Sequence, residues 1–201
     1  MASDCLCRLR SEFSPSDKLL ETRRDWIPMK FIDIAKRRCS TRGFTNQQVE
    51  SEKLALILEA AHVAPTAGNR QPVRLVIVRG QEGLEKLRKA TKLYNAPLAI
   101  LVCADRNIAW TRPQDKKQTC DIDAAILTDH MMLQATELGL GSVWIGAFDP
   151  TIVREEFCLP DHIEAVSILA LGYPQNALTS PDRHSQTRIP LDQLVFFDKL
   201  E

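Results

Sequence analysis

The sequence predicts one domain of mixed α and β structure, and three observations predict it. Two runs, VRLVIVR at 73–79 and LAILVCA at 98–104, are largely β-branched or apolar and are bounded by Pro and Gly, as expected for strands buried on both faces. Between and around them lie stretches with apolar residues three and four apart, the spacing of amphipathic helices. The 201 residues are 44% hydrophobic and 26% charged, an ordinary globular composition, and no internal repeat, low-complexity tract or inter-domain linker interrupts them.

Taken in order, residues 1–26 are polar and aperiodic and read as an N-terminal extension, with the domain proper at 27–201. Pro28 suits a first helical turn, and Met29, Phe31, Ile32 and Ala35 give a short apolar face ending at KRRCS. Ser51 is placed to cap a second helix that buries Leu54, Ile57, Leu58 and Ala61 and stops before Pro65. This helix delivers the loop APTAGNRQP. GLEKLRKATK forms a surface helix between the two strands, and 104–120 is a long polar loop with Trp110 in its middle.

From Asp121 to Leu138 apolar residues spread round most of a helix surface, so that helix is central or lies in an interface. Gly139 and Gly141 end it, and SVWIGA makes a short strand. Asp149-Pro150 supplies an N-cap and first residue for a helix through Phe157, and EAVSILALGY makes another buried strand. The order of the strands is not readable from this pattern.

Lys+Arg and Asp+Glu both number 26, so no overall field gathers nucleic acid or an anionic membrane. No run approaches a membrane span or a secretory signal, and a cytoplasmic protein is expected. The six cysteines, several inside apolar runs, read as reduced and structural. His62, His130, His162 and His184 stand far apart without H-E-x-x-H or C-x-x-C, so no metal site is expected. GLGSVWIG leaves a helix and enters a strand, the reverse of the dinucleotide fingerprint, and no phosphate-loop G-x-x-x-x-G-K-[ST] occurs.

Two stretches carry candidate chemistry. In RRCSTRGF, at 37–44, Arg38 and Arg42 offer forked donors and Ser40 and Thr41 offer hydroxyls, a set suited to a phosphate ester; the plainer alternative is a solvated helix end whose cations complement the macrodipole. In PTAGNRQP, Thr66, Asn69 and Gln71 offer groups able to read the edge of a flat heterocycle, against the alternative of a simple connecting loop.

These two stretches, with DIDAAILTDHMMLQATELGLGSVWIGAFDP, LALGYP and RIPL, occur in an order and spacing that resemble the nitroreductase family of FMN-dependent oxidoreductases from Met29 to about Phe197. The resemblance implies an α+β fold with a central, mostly antiparallel sheet wrapped by helices, and an intertwined homodimer with two FMN sites at its interface. It implies that Arg38 and Ser40 hold the flavin phosphate with Arg188 of RIPL, that Arg42 lies nearer the ribityl and pyrimidine end, and that Lys92 lies by the pyrimidine. Pro65, Thr66 and Asn69, from the partner subunit, would approach the ring. Trp144, Ile145 and Gly146 would run their backbone past it, with the Gly146 N–H near flavin N5. Cys39 departs from the basic or histidine residue frequent there, and Val73 from an aromatic one.

The implied activity is NADH- or NADPH-driven reduction of nitroaromatics, quinones or similar flat acceptors by a ping-pong cycle, with Trp110 and Arg112 walling the acceptor pocket and no side-chain nucleophile. The alternatives are a non-catalytic flavin-binding or flavin-storage protein and a specialised relative such as a reductive dehalogenase.

Overall fold

The apolar run LAILVCA lies where so uniform a strand has to lie, in the middle of a sheet covered on both faces. In the computed structural model, which describes residues 29–200, it forms β2 (Leu98–Asp105), buried from Leu98 to Ala104. With β1 (Val73–Val78), β3 (Gly141–Ile145) and β4 (Ile163–Gly172) it makes one four-stranded sheet in the order β1-β2-β4-β3. Every pairing is antiparallel, with a bulge in the β2–β4 ladder between Val102 and Cys103. This is the α+β layout the resemblance implied. The expected extension at 1–26 and the helix start at Pro28 lie outside the described residues.

The period of two along β2 divides the core. Leu98, Ile100 and Val102 face one side, where α2 (Ser51–His62) and α4 (Cys120–Glu137) supply Leu54, Ile57, Ala61, Leu127 and Met131. Ala99, Leu101 and Cys103 face the other, against Leu84 and Leu87 of α3 (Gln81–Ala90) and Val153 of α5 (Pro150–Glu156). Burial pushes the Cys103 thiol up to about 11, so it stays protonated and behaves as a small hydrophobe. Asp149 caps α5 as its position predicted, accepting the Thr151 and Ile152 N–H groups at 2.8 and 3.3 Å.

Three expectations are corrected. Ser51 is the first residue of α2 rather than its cap; Glu50 occupies the cap position without a side-chain cap bond, and its carboxylate accepts the Tyr173 hydroxyl instead. β1 is not buried on both faces: it is an edge strand with one neighbour, so Arg74 faces solvent and Leu75, Val76 and Ile77 are half-covered. α1 (Phe31–Arg37) buries none of its residues, and Phe31 and Ile32 stand exposed. Among the described residues nothing covers Phe31 and Ile32.

Candidate functional site

The residues after α1 leave the helix and join the sheet. Ser40 forms a parallel bridge with Ser142, and the Thr41 N–H donates to the Ser142 carbonyl at 2.9 Å. The stretch thus runs along the free edge of β3, two residues from Trp144. The approach depends on Gly141, where a Cβ would meet the Thr41 side chain at 2.6 Å. Phe44, buried, bridges to Pro174 and anchors the far end of the segment.

The tail returns to the same place. A short turn, Pro181–Arg183, leads into α6 (His184–Thr187), with α7 (Leu191–Leu194) beyond it. Arg183 donates to the carbonyls of Lys36 at 3.1 Å and Arg38 at 2.6 Å, and a ring nitrogen of His184 lies 3.2 Å from the Lys36 carbonyl. Carbonyls at a helix C-terminus lack intrahelical donors and carry the negative end of the dipole, so these basic side chains satisfy α1 and fasten the tail to it.

Between tail and turn is a cavity of about 260 Å³ lined by Arg38, Cys39, Ser40, Arg42 and Arg188, together with Thr179, Arg183, His184 and Thr187. Among the described residues no carboxylate lines it. Among the described residues none of Arg38, Arg42 and Arg188 is ion-paired. Unneutralised guanidinium groups converging with hydroxyls fit a dianionic phosphate ester, each fork matching two oxygens. Arg42 also lines the neighbouring cavity, of about 540 Å³, with Lys92 and Tyr94; the Lys92 ammonium lies 5.3 Å from the Tyr94 ring centroid. The structure therefore brings together Arg38, Cys39, Ser40, Arg42 and Arg188, and sets Lys92 beside Arg42.

β3 contributes its edge. Ile145 is buried in the core, so only its backbone is free to meet a ligand, whereas Trp144 is 36% exposed. Gly146 stands exposed one residue beyond the strand, and a Cβ there would meet nothing within 4 Å.

Pro65, Thr66 and Asn69 lie elsewhere in the chain. Their loop makes a short turn at Ala67–Asn69, in which Gly68 has φ 55° and lies against Trp110. The Thr66 hydroxyl accepts the Gln71 N–H at 3.0 Å, and Thr66 lines an apolar cavity with Leu58, Val73 and Leu127. Arg112 forms two bonds with the Asp115 carboxylate, at 2.8 and 2.7 Å, and holds that carboxyl below its usual value. It shapes its own loop instead of reaching across a pocket. None of these residues lines the arginine cavity within one chain.

The residue that joins these two loops, Asp123, was not singled out from the sequence. Fully buried in the first turn of α4, it accepts the Ala67 N–H at 2.8 Å and the Thr119 hydroxyl at 2.9 Å, while the Thr119 N–H donates to the Trp110 carbonyl at 3.0 Å. An acid enclosed by the apolar residues Ile122, Ala124, Ala125 and Ile126 was its signal. Arg183 and His184 were also missed; their partners are main-chain carbonyls, which leave no trace in side-chain patterns.

With this geometry in view, comparisons with known proteins agree on one family. The model described as the nitroreductase family matches residues 34–92 and 85–173. A crystal structure of a nitroreductase family protein from Clostridium difficile is 53% identical and covers 86% of this chain and 100% of its own, with a TM-score of 0.84. An Archaeoglobus fulgidus protein named NADH dehydrogenase/NAD(P)H nitroreductase is 35% identical over 76% of this chain and 91% of its own length. A Bacillus subtilis protein named FMN reductase (NAD(P)H) is 29% identical over 78% of this chain and 73% of its own.

Proposed function

The chain belongs to the nitroreductase family, and from that premise we propose that it is an FMN-dependent oxidoreductase that draws electrons from NAD(P)H and delivers them to flat, electron-poor acceptors such as nitroaromatics and quinones. The observation that carries this reading is the cavity in which Arg38, Ser40, Arg42 and Arg188 meet without any lining carboxylate. Its donor set fits a flavin mononucleotide phosphate: Arg38, Ser40 and Arg188 would hold the phosphate, and Arg42 the adjoining polar chain. Bound there, FMN supplies the hydride chemistry between nicotinamide and acceptor.

The chain's own contribution is binding, orientation and charge. Arg42 and Lys92 set two cations along one side of the site, and fixed cations stabilise negative charge that develops beside them when electrons arrive. Gly146 is exposed, with open space where a Cβ would stand, and its backbone N–H would meet a ring edge, with Trp144 beside it a flat apolar surface. A single open face that receives the donor and then the acceptor corresponds to a ping-pong cycle.

A homodimer is part of the same reading. Phe31 and Ile32 on α1, and Leu191, Leu194, Phe196 and Phe197 on the tail, are exposed among the described residues, and clustered exposed apolar residues of this size suit an interface. Covering them with a second copy would let the partner's 65–69 loop complete a site whose arginines come from the first. Among the described residues no helix is long and apolar enough to cross a membrane.

Initial rates with NADPH and a quinone, varied against each other, test the proposal. Parallel double-reciprocal lines are expected. Converging lines exclude the ping-pong cycle, and a protein that retains flavin yet oxidises neither nicotinamide is the storage protein instead.

A further inference from the structure

The arginine cavity and the Lys92 cavity share Arg42, and the Lys92 cavity shares Arg88 and Asn95 with a third cavity of about 390 Å³ that reaches Arg79. The three are linked through these shared lining residues and together are termed the furrow. Among the described residues no Asp or Glu lines it, in a chain with equal numbers of acidic and basic residues. Charge along α3 is arranged to the same effect: Lys86 pairs with Glu82 and Lys89 with Glu156, whereas among the described residues Arg79 and Arg88 pair with no carboxylate. At this end of the furrow, the guanidinium groups of Arg79 and Arg88 are thus left without a counter-ion among the described residues. Asn46, Gln48, Gln81 and Asn95 line the same end, side chains whose amides suit a heterocycle or sugar hydroxyls, although the Gln81 amide donates to the Glu85 carboxylate at 3.0 Å.

We propose that the Arg79 end of this furrow, beyond the flavin site, holds the phosphorylated adenylate half of the hydride donor, and that the donor is NADPH rather than NADH. This rests on the oxidoreductase reading above and extends it to residues outside the flavin site. Arg88, at the junction of two cavities, meets the diphosphate. Arg79, at the far end, meets the 2′-phosphate, the one group that distinguishes the two donors. A phosphate monoester brings nearly two negative charges, and a forked guanidinium in an acid-free furrow is its natural partner.

The test is a calorimetric titration of the FMN-loaded protein, its arginine cavity filled, with adenosine 2′,5′-bisphosphate and with adenosine 5′-monophosphate. The bisphosphate is expected to bind about tenfold more tightly, as one charge-assisted contact to phosphate supplies. Arg79→Gln removes that preference, Arg79→Lys restores part of it, and Arg88→Gln weakens both ligands about tenfold. In turnover, the ratio of kcat/KM for NADPH over NADH falls toward one in Arg79→Gln. A holoenzyme that binds the two nucleotides alike and uses both nicotinamides equally overturns the inference while the oxidoreductase reading stands. A holoenzyme that oxidises neither nicotinamide overturns both.

Discussion

Arg183 and Arg188 stand five residues apart in the tail and do different work. Arg183 spends its guanidinium on carbonyls of Lys36, Arg38 and Ser180, so it is a fastener. Arg188 reaches the same cavity with its charge uncommitted and is available to a ligand. Truncating Arg38 and Arg188 together to Ala should therefore weaken FMN binding by about a hundredfold or more, two charge-assisted contacts being lost. Fluorescence titration of the apoprotein measures it; unchanged affinity would remove both residues from the phosphate site. The candidates Arg38, Ser40, Arg42 and Arg188 were legible in the sequence because their motifs come in a fixed order along the chain. Arg183, His184 and Asp123 were not, because each acts on the main chain of a segment remote in sequence.

α4 shows the same division at the scale of an element. Its extent, expected over 121–138 and found over Cys120–Glu137, was legible because apolar residues recur round the whole helix. What its first turn does was not. Asp123 holds the 65–71 loop to the loop that carries Trp110, and it is buried where an unpaired donor is costly. Asp123→Ala leaves the Ala67 N–H and the Thr119 hydroxyl without their acceptor and should destabilise the fold by about 1–3 kcal/mol in denaturant unfolding. Hydrogen exchange at Ala67 should quicken in step. An amide that exchanges at the wild-type rate in this variant would show that the link does not hold the loop. Ser51 failed as a cap for a related reason: the residue before it, Glu50, is drawn to Tyr173 at the far end of β4, a contact no local pattern announces.

At the scale of the molecule, the existence of the strands followed from composition, but their order could not, since β2–β4 pairing joins residues 58 to 73 positions apart. The exposed tail and α1 are legible only when the chain is seen folded and still short of cover. The account expects a solution mass of twice the 22.7 kDa chain, and expects Leu194→Asp combined with Phe197→Asp to shift it toward the monomer with loss of bound flavin, by light scattering and absorbance. A wild-type monomer would deny the shared site. The central claim, that this site holds FMN reducible by a nicotinamide, is tested most directly by anaerobic titration of the purified holoprotein with NADPH. A yellow protein is expected, whose flavin absorbance bleaches with one equivalent per site and returns when a quinone is added. A flavin that keeps its colour under excess NADPH and NADH would contradict it.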